Sequence, residues 1–305
     1  MKEKRVRFRH LHTLLEVTRQ KSVAKAAHVL NVSQPAVTKT IRELEGVLGV
    51  ALLERDGRGI KTTHVGEVFV KHAGLAITAL KQGIDSVAHS GAGDGPPIRI
   101  GTLPTVSVRI MPHAIKLFLK ENTGASIEIV TGENSVLLEQ LRVGELDLVV
   151  GRLAAPEEMT GFFFEHLYSE QVLFVVRAGH PLLGETGDLF EQMDEFPVLM
   201  PTRGSIIRPF VERFFITNGV SAIPTQIETV SDSFGRAFLR ESDAVWITSA
   251  GVVAHDIDAG VLVPLPVDTI ETKGPVGLTM RTDTPASTAF TTLLKTIRVV
   301  AASVR

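Results

Sequence analysis

Ser33, Gln34, Pro35, Thr38, Lys39 and Arg42 stand within ten residues of one another. A glutamine amide can bond the N6/N7 edge of adenine, a proline ring or threonine methyl can touch the methyl of thymine, and lysine and arginine neutralise phosphates. At a helix start, Ser33 and the free backbone N–H groups can meet a phosphate. Arg55 and Arg58 follow around Gly57 and Gly59 and add two cations. A solvated face accounts for any one of these charges; together they suit a surface that reads duplex DNA.

Bond-making chemistry has no comparable group. His10, His64, His113, His166, His180 and His255 fall in no nucleophile–base or metal-ligand pattern, and Gly-x-Ser-x-Gly, His-Glu-x-x-His and a phosphate-cradling glycine loop are all absent. With no cysteine, thiol catalysis, thiol redox sensing and Cys-ligated metals are excluded. Glu145 and Asp147 near a strand start read as solvated charges. No catalytic residue, metal or cofactor is expected.

The base-reading residues need a particular frame. Phe8, Leu11, Leu14, Leu15 and Thr18 keep helical spacing, Ser22 is placed to cap a second helix through Val23, Ala26, Ala27 and Leu30, and Asn31-Val32 makes a tight turn. Ser33 then caps a third helix with Pro35 in its first turn, Val37, Ile41, Leu44 and Leu48 on its inner face and Gly49 as its stop. Residues 52–62 read as two short strands around a glycine-rich basic turn, a wing. Helix, turn, helix and wing place the second helix of the pair in the major groove.

Charge follows this division. Residues 1–65 carry 13 Lys and Arg against 6 Asp and Glu, a net of +7; the remaining 240 residues carry 19 against 28, a net of −9, within a whole of −2. A small domain that meets a polyanion and a larger one that does not fits that split. No apolar run approaches the roughly 18 residues of a membrane span, and the charged start MKEKRVRFRH does not resemble a signal peptide. A cytoplasmic protein without membrane contact is expected.

From Val65 to about Ala88, Phe69, His72 or Ala73, Ala76, Leu80, Gly83 and Val87 recur in alternating steps of three and four. Close pairing with a second copy and ordinary packing on its own domain both satisfy that pattern. Gly91 to Pro97 then reads as a flexible hinge. Beyond it, strands alternate with helices: Ile98–Gly101, a helix near Val108–Lys120, Ser126–Val130, a helix near Ser135–Val143 and Leu146–Gly151. A second group holds Val172–Val176, Val198–Met200, a helix near Ile206–Asn218, Thr225–Val230, a helix over Ser233–Arg240 and Ala244–Thr248. The strand Val276–Met280 and a closing helix from about Thr284 can return to the first group. Two α/β lobes built on parallel sheet are predicted.

The run Ser22-x-x-x-Ala26-Ala27-x-x-Leu30-x-x-Ser33-Gln34-Pro35-Ala36-Val37-Thr38, continued by Ile41, Leu44-Glu45, Leu48-Gly49, Leu52-Leu53-x-Arg55, Arg58-Gly59, Thr62 and Gly66, resembles the LysR-type transcriptional regulators. Ala51-Leu52-Leu53 stands where that family often has Pro-Leu-Phe, and Lys39 where it often has Arg. The resemblance implies a winged helix-turn-helix over 1–65, a dimerising linker helix over 66–90, and a hinge over 91–97. It further implies a two-lobed, periplasmic-binding-protein-like effector domain over 98–305, with lobe 1 about 98–166 and 270–305 and lobe 2 about 167–269. DNA contacts are then expected from Ser22, Ser33, Gln34, Pro35, Thr38, Lys39, Arg42, Arg55 and Arg58, and homodimers assembled into tetramers, with RNA polymerase as a further partner.

By position in that family, the effector cleft is expected to be lined by Thr102, Pro104, Thr105, Ser107, Thr131 and Arg152 from one lobe and by Pro201, Thr202, Arg203 and Ser205 from the other. Arg152 and Arg203 imply a carboxylate co-inducer. The segments around Gly151-Arg152-Leu153 and Phe174–Leu182 further resemble a branch of the family that holds protocatechuate-operon activators and regulators of galactose-binding proteins. An activator of aromatic catabolism is the first expectation from it, a sugar-responsive regulator of transport the alternative. An α/β enzyme or a solute-binding module is the distant one.

Overall fold

The computed structural model describes residues 5–57, 59–89, 95–184, 187–220, 223–282 and 287–304. Three helices open the chain, α1 (Phe8–Gln20), α2 (Val23–Val29) and α3 (Gln34–Leu48). Ser22 and Ser33 are their N-caps, each hydroxyl accepting from the backbone three residues on, Lys25 N and Ala36 N. Asn31, at φ 53°, bends the chain between α2 and α3 in the left-handed conformation that asparagine tolerates better than most residues. Leu14, Val17, Ala26, Val37, Ile41, Leu44 and Leu52 form one buried core, each large side chain contributing about 1.5–3 kcal/mol.

The wing is the antiparallel pair β1 (Leu53–Asp56) and β2 (Gly59–Thr62). Its root is held by α3: the Glu45 carboxylate accepts from Leu52 N at 2.8 Å and Leu53 N at 3.3 Å. Arg58, at the turn, lies outside the described residues. The long helix α4 (His64–His89) begins two residues ahead of the expected linker boundary, and Gly66 N donates to Thr63 Oγ1 at 3.0 Å at its start.

The chain divides into two compact units, Met1–Pro96 with Arg142–Glu145, and Pro97–Leu141 with Leu146–Arg305. Of the expected hinge over 91–97, residues 91–94 lie outside the described residues, and 95–97 already belong to strand β3 (Gly95–Thr102).

The second unit carries two five-stranded sheets. The first has β4 (Ala125–Thr131), β3, β5 (Leu148–Arg152), β12 (Gly274–Arg281) and β6 (Phe162–Glu170) in spatial order. The second has β11 (Leu262–Pro264), β7 (Val172–Arg177), β10 (Val245–Ser249), β8 (Val198–Met200) and β9 (Gln226–Glu228). Both are mixed where parallel sheet was expected: β3 runs parallel to β5, while β12 is antiparallel to β5 and β6, and β7 is antiparallel to β10 and β11. The antiparallel members are the strands that flank the two passages between lobes. Because β6 stays in the first sheet through Glu170, the passage expected near 166 falls at Gln171.

Those two passages are tied together. Val172 N donates to Thr272 Oγ1 at 2.9 Å, Thr269 Oγ1 donates to Val172 O at 2.6 Å, and Thr272 Oγ1 donates to Thr269 O at 2.7 Å, all buried.

Helices cover the sheets: α7 (Asn134–Arg142) and α12 (Thr288–Ala302) in the first lobe, α8 (Leu189–Met193), α9 (Arg208–Thr217), α10 (Asp232–Glu241) and α11 (Ala250–Asp258) in the second. The helix expected over 108–120 is two helices, α5 (Pro104–Arg109) and α6 (Met111–Lys120). Pro112 has no N–H to return to Val108 O, so it sits in the first turn of a new helix and not inside a continuous one. The closing helix starts at Thr288 on a Ser287 cap, and 284–286 lie outside the described residues. Among the described residues, no helix is long and apolar enough to cross a membrane.

A Cβ on Gly66 would run into the Leu52 carbonyl, a backbone group that cannot step aside. Gly66→Ala is therefore expected to destabilise the helical head by about 1–3 kcal/mol, read as a lower urea midpoint, whereas Gly46→Ala, facing open space, should leave it unchanged or raise it.

Candidate functional site

Each unit carries one candidate site. In the first, Gln34, Pro35, Lys39 and Arg42 are exposed and Thr38 half-exposed, and they line one shallow hollow along α3 with Glu43. Thr38 Oγ1 donates to Gln34 O at 3.1 Å, which leaves its methyl as the group it offers outward. Ser22 and Ser33 both serve as caps, and Arg55 is exposed on β1.

An acid on such a face has to be neutralised. Glu43 accepts from Arg9 Nη2 at 2.8 Å and meets His10 Nε2 at 3.4 Å. The His10 contact, then Arg9, holds its carboxyl below the usual range. Arg9 and His10 were not among the expected site residues; an acid directly after Arg42 on the exposed run of α3 was the signal that could have prompted a search for its partner.

In the second unit a cleft of about 800 Å³ opens between the lobes. Pro104, Thr105, Ser107, Thr131 and Arg152 line it from the first lobe, and Pro201 and Ser205 from the second. Thr102, Thr202 and Arg203 are not among its lining residues. Thr102 is fully buried. Ser205 N donates to Thr202 O at 2.9 Å, closing a turn that puts Arg203 at its outer corner, exposed to solvent; the expected cationic pair is thus not assembled.

The lobe's cation at the cleft is Arg236 instead, and it is committed, its Nε donating to Asp256 at 2.9 Å and its Nη2 to Val252 O. Asn134, Ser231, Asp232, Ser233 and Thr248 also line the cleft and escaped the sequence reading. Ser231 caps α10, and a serine directly after the strand expected over Thr225–Val230 was the signal that could have pointed to it.

Arg152 is the unusual group. It is 3% exposed, its Nη2 donates to Thr272 O, its guanidinium lies 4.2 Å over the Phe210 ring, and its Nε and Nη1 have no hydrogen-bond partner. Gly274 makes room for it, since a Cβ there would run into the guanidinium. Nearby, Glu170 is 5% exposed; Thr105 Oγ1 donates to one of its oxygens at 2.5 Å and Gly251 N to the other at 3.2 Å. Burial pulls Arg152 below its ordinary value and pushes Glu170 above its own, and each is drawn back by the other's charge. Among the described residues no cluster of three His, Asp or Glu could hold a metal.

Residues 8–67 match the family described as bacterial regulatory helix-turn-helix protein, lysR family, and residues 91–302 the LysR substrate binding domain. The chain belongs to the LysR-type transcriptional regulators. Over 301 residues this regulator is 64% identical to the HTH-type transcriptional regulator PcaQ of Agrobacterium fabrum (strain C58), covering 99% of this chain and 97% of that one. It is more distant from the HTH-type transcriptional regulator GbpR of Azospirillum brasilense, 28% identical over 96% of this chain and 86% of that one. Full-length CbnR, solved in complex with its target DNA, shares the fold at a TM-score of 0.57 and 21% identity, covering 97% of this chain and all of that one.

A helix-turn-helix head and a substrate-binding domain make the regulator a DNA-binding protein that answers to a small molecule. On its operator, Gln34→Ala is expected to cost about 1–3 kcal/mol and to relax preference at one base, while Arg42→Ala weakens operator and random DNA alike; fluorescence anisotropy on both duplexes checks this. Gly274→Ala should displace the Arg152 guanidinium and lower the melting temperature of the effector domain without changing operator affinity.

Proposed function

We propose that this regulator activates a catabolic operon of the protocatechuate type and is controlled by a small carboxylate held in the cleft. Support for the pathway is the 64% identity to PcaQ across nearly the whole chain. Support for the carboxylate is one observation: a buried arginine lining the cleft with two nitrogens, Nε and Nη1, that have no hydrogen-bond partner in the protein. Such donors cost free energy unless a ligand oxygen meets them. The carboxylate docks on Arg152, with Ser107, Thr131, Asn134 and Ser205 orienting the rest of the molecule.

On DNA, Gln34, Pro35 and Thr38 read base edges, and Lys39, Arg42, Arg55 and Arg58 hold phosphates beside the capped helix starts at Ser22 and Ser33. The working form is a dimer joined through α4, two of which make a tetramer in the cytoplasm. Effector binding closes the cleft, the heads change their spacing, and a relaxed DNA bend admits RNA polymerase.

Differential scanning fluorimetry against carboxymuconates, protocatechuate, other dicarboxylates and neutral sugars tests the reading. A carboxymuconate is expected to raise the melting temperature in a concentration-dependent way, and Arg152→Met to abolish that rise. Stabilisation by a sugar alone would overturn the carboxylate reading and favour a transport regulator.

A further inference from the structure

Behind the cleft wall lies a carboxyl group that is not part of its lining. Glu170 is buried at the end of β6 and is not among the lining residues, yet its partner Thr105 is, and so is Arg152. A hydroxyl has one proton to give. While Glu170 is ionised, Thr105 spends that proton on it along the 2.5 Å bond and has only lone pairs left for its other neighbours, the Tyr168 phenol and the cleft; a carboxylate in the cleft is repelled by them. If Glu170 carries a proton, its O–H can donate to Thr105 Oγ1 along the same line. Thr105 is then free to donate to a ligand, and the other Glu170 oxygen still accepts from Gly251 N.

We propose that Glu170 is a positioning residue of the effector site, setting whether Thr105 offers a lone pair or a proton, so that an anionic effector binds together with one proton. The inference rests on the carboxylate reading given above and deepens it. The proton comes from solvent and ends on Glu170; no other bond is made or broken.

The surroundings supply the driving force. The charged groups acting on Glu170 are Arg152 from β5 and Arg109 from α5; Tyr168, on β6 itself, is kept a neutral phenol by burial, and α11 contributes the Gly251 amide. A second carboxylate arriving at Arg152 takes up the cationic field that favours ionised Glu170, and repels it directly. Gly251 permits the arrangement, because a Cβ there would run into the Thr105 hydroxyl.

Isothermal titration of the full-length protein with carboxy-cis,cis-muconate, from pH 6.5 to 8.5 in buffers of differing ionisation enthalpy, tests this. Wild type should take up a fraction of a proton to one proton per effector, with Kd weakening as pH rises by up to about tenfold per pH unit. Glu170→Gln, whose amide donates permanently to Thr105 while its carbonyl accepts from Gly251 N, should bind tightly across the range with that uptake lost. The difference between the two proteins isolates Glu170. Should Glu170→Gln not fold, Thr105→Val serves: without the lone-pair penalty its Kd should vary less with pH than that of wild type. Binding by wild type without proton uptake, or a Glu170→Gln protein with unchanged uptake and slope, overturns the inference alone. Absence of binding by every carboxylate overturns the reading beneath it as well.

Discussion

A positive charge buried at the junction of two lobes governs how the effector domain is built. A guanidinium removed from water needs compensation from its surroundings, and every neighbour of Arg152 answers to that need. Thr272 supplies a carbonyl, Phe210 a ring face, Glu170 a nearby negative charge, and Gly274 the empty volume. These groups come from both lobes and from the passages between them, so one side chain collects the parts of the domain that must agree. The compensation is incomplete at two nitrogens, Nε and Nη1.

The DNA-binding head solves a different problem, presenting cations outward while keeping its helices in register. Helix α3 is capped by its own sequence, and Glu45 turns inward to hold the wing, so one helix both presents the exposed cations and braces the wing. Glu43, the remaining acid near the reading surface, is tied back to α1 by Arg9 and His10. The exposed charge of α3 is thereby left to Lys39 and Arg42.

The head was legible in the sequence because its signals are local: caps, a proline in a first turn, and a period of 3.6 residues. The effector domain was legible only where strands alternate regularly with helices. Strand β6 was missed because Phe162 to Glu170 lies at a sheet edge, paired only with β12, and shows no clean alternation. Helix α11 was missed because it starts directly after β10, with Val252 and Val253 reading as more strand. Within the cleft, Arg152 was reachable from its place at a strand end, whereas the misplacement of Arg203 came from a turn whose closing bond leaves no mark in the sequence. Glu170 could not have been singled out, since its importance comes from Thr105 and Gly251, 65 and 81 residues away.

The threonines that join the two interlobe passages have a mechanical consequence. A single strand crossing between two bodies leaves them free to swivel and twist like beads on a string. Two strands sewn side by side through both backbone groups of Val172 act as a strap, stiff against torsion and shear and compliant in bending alone. Relative motion of the two lobes is then guided along one angular coordinate and is not spread over many.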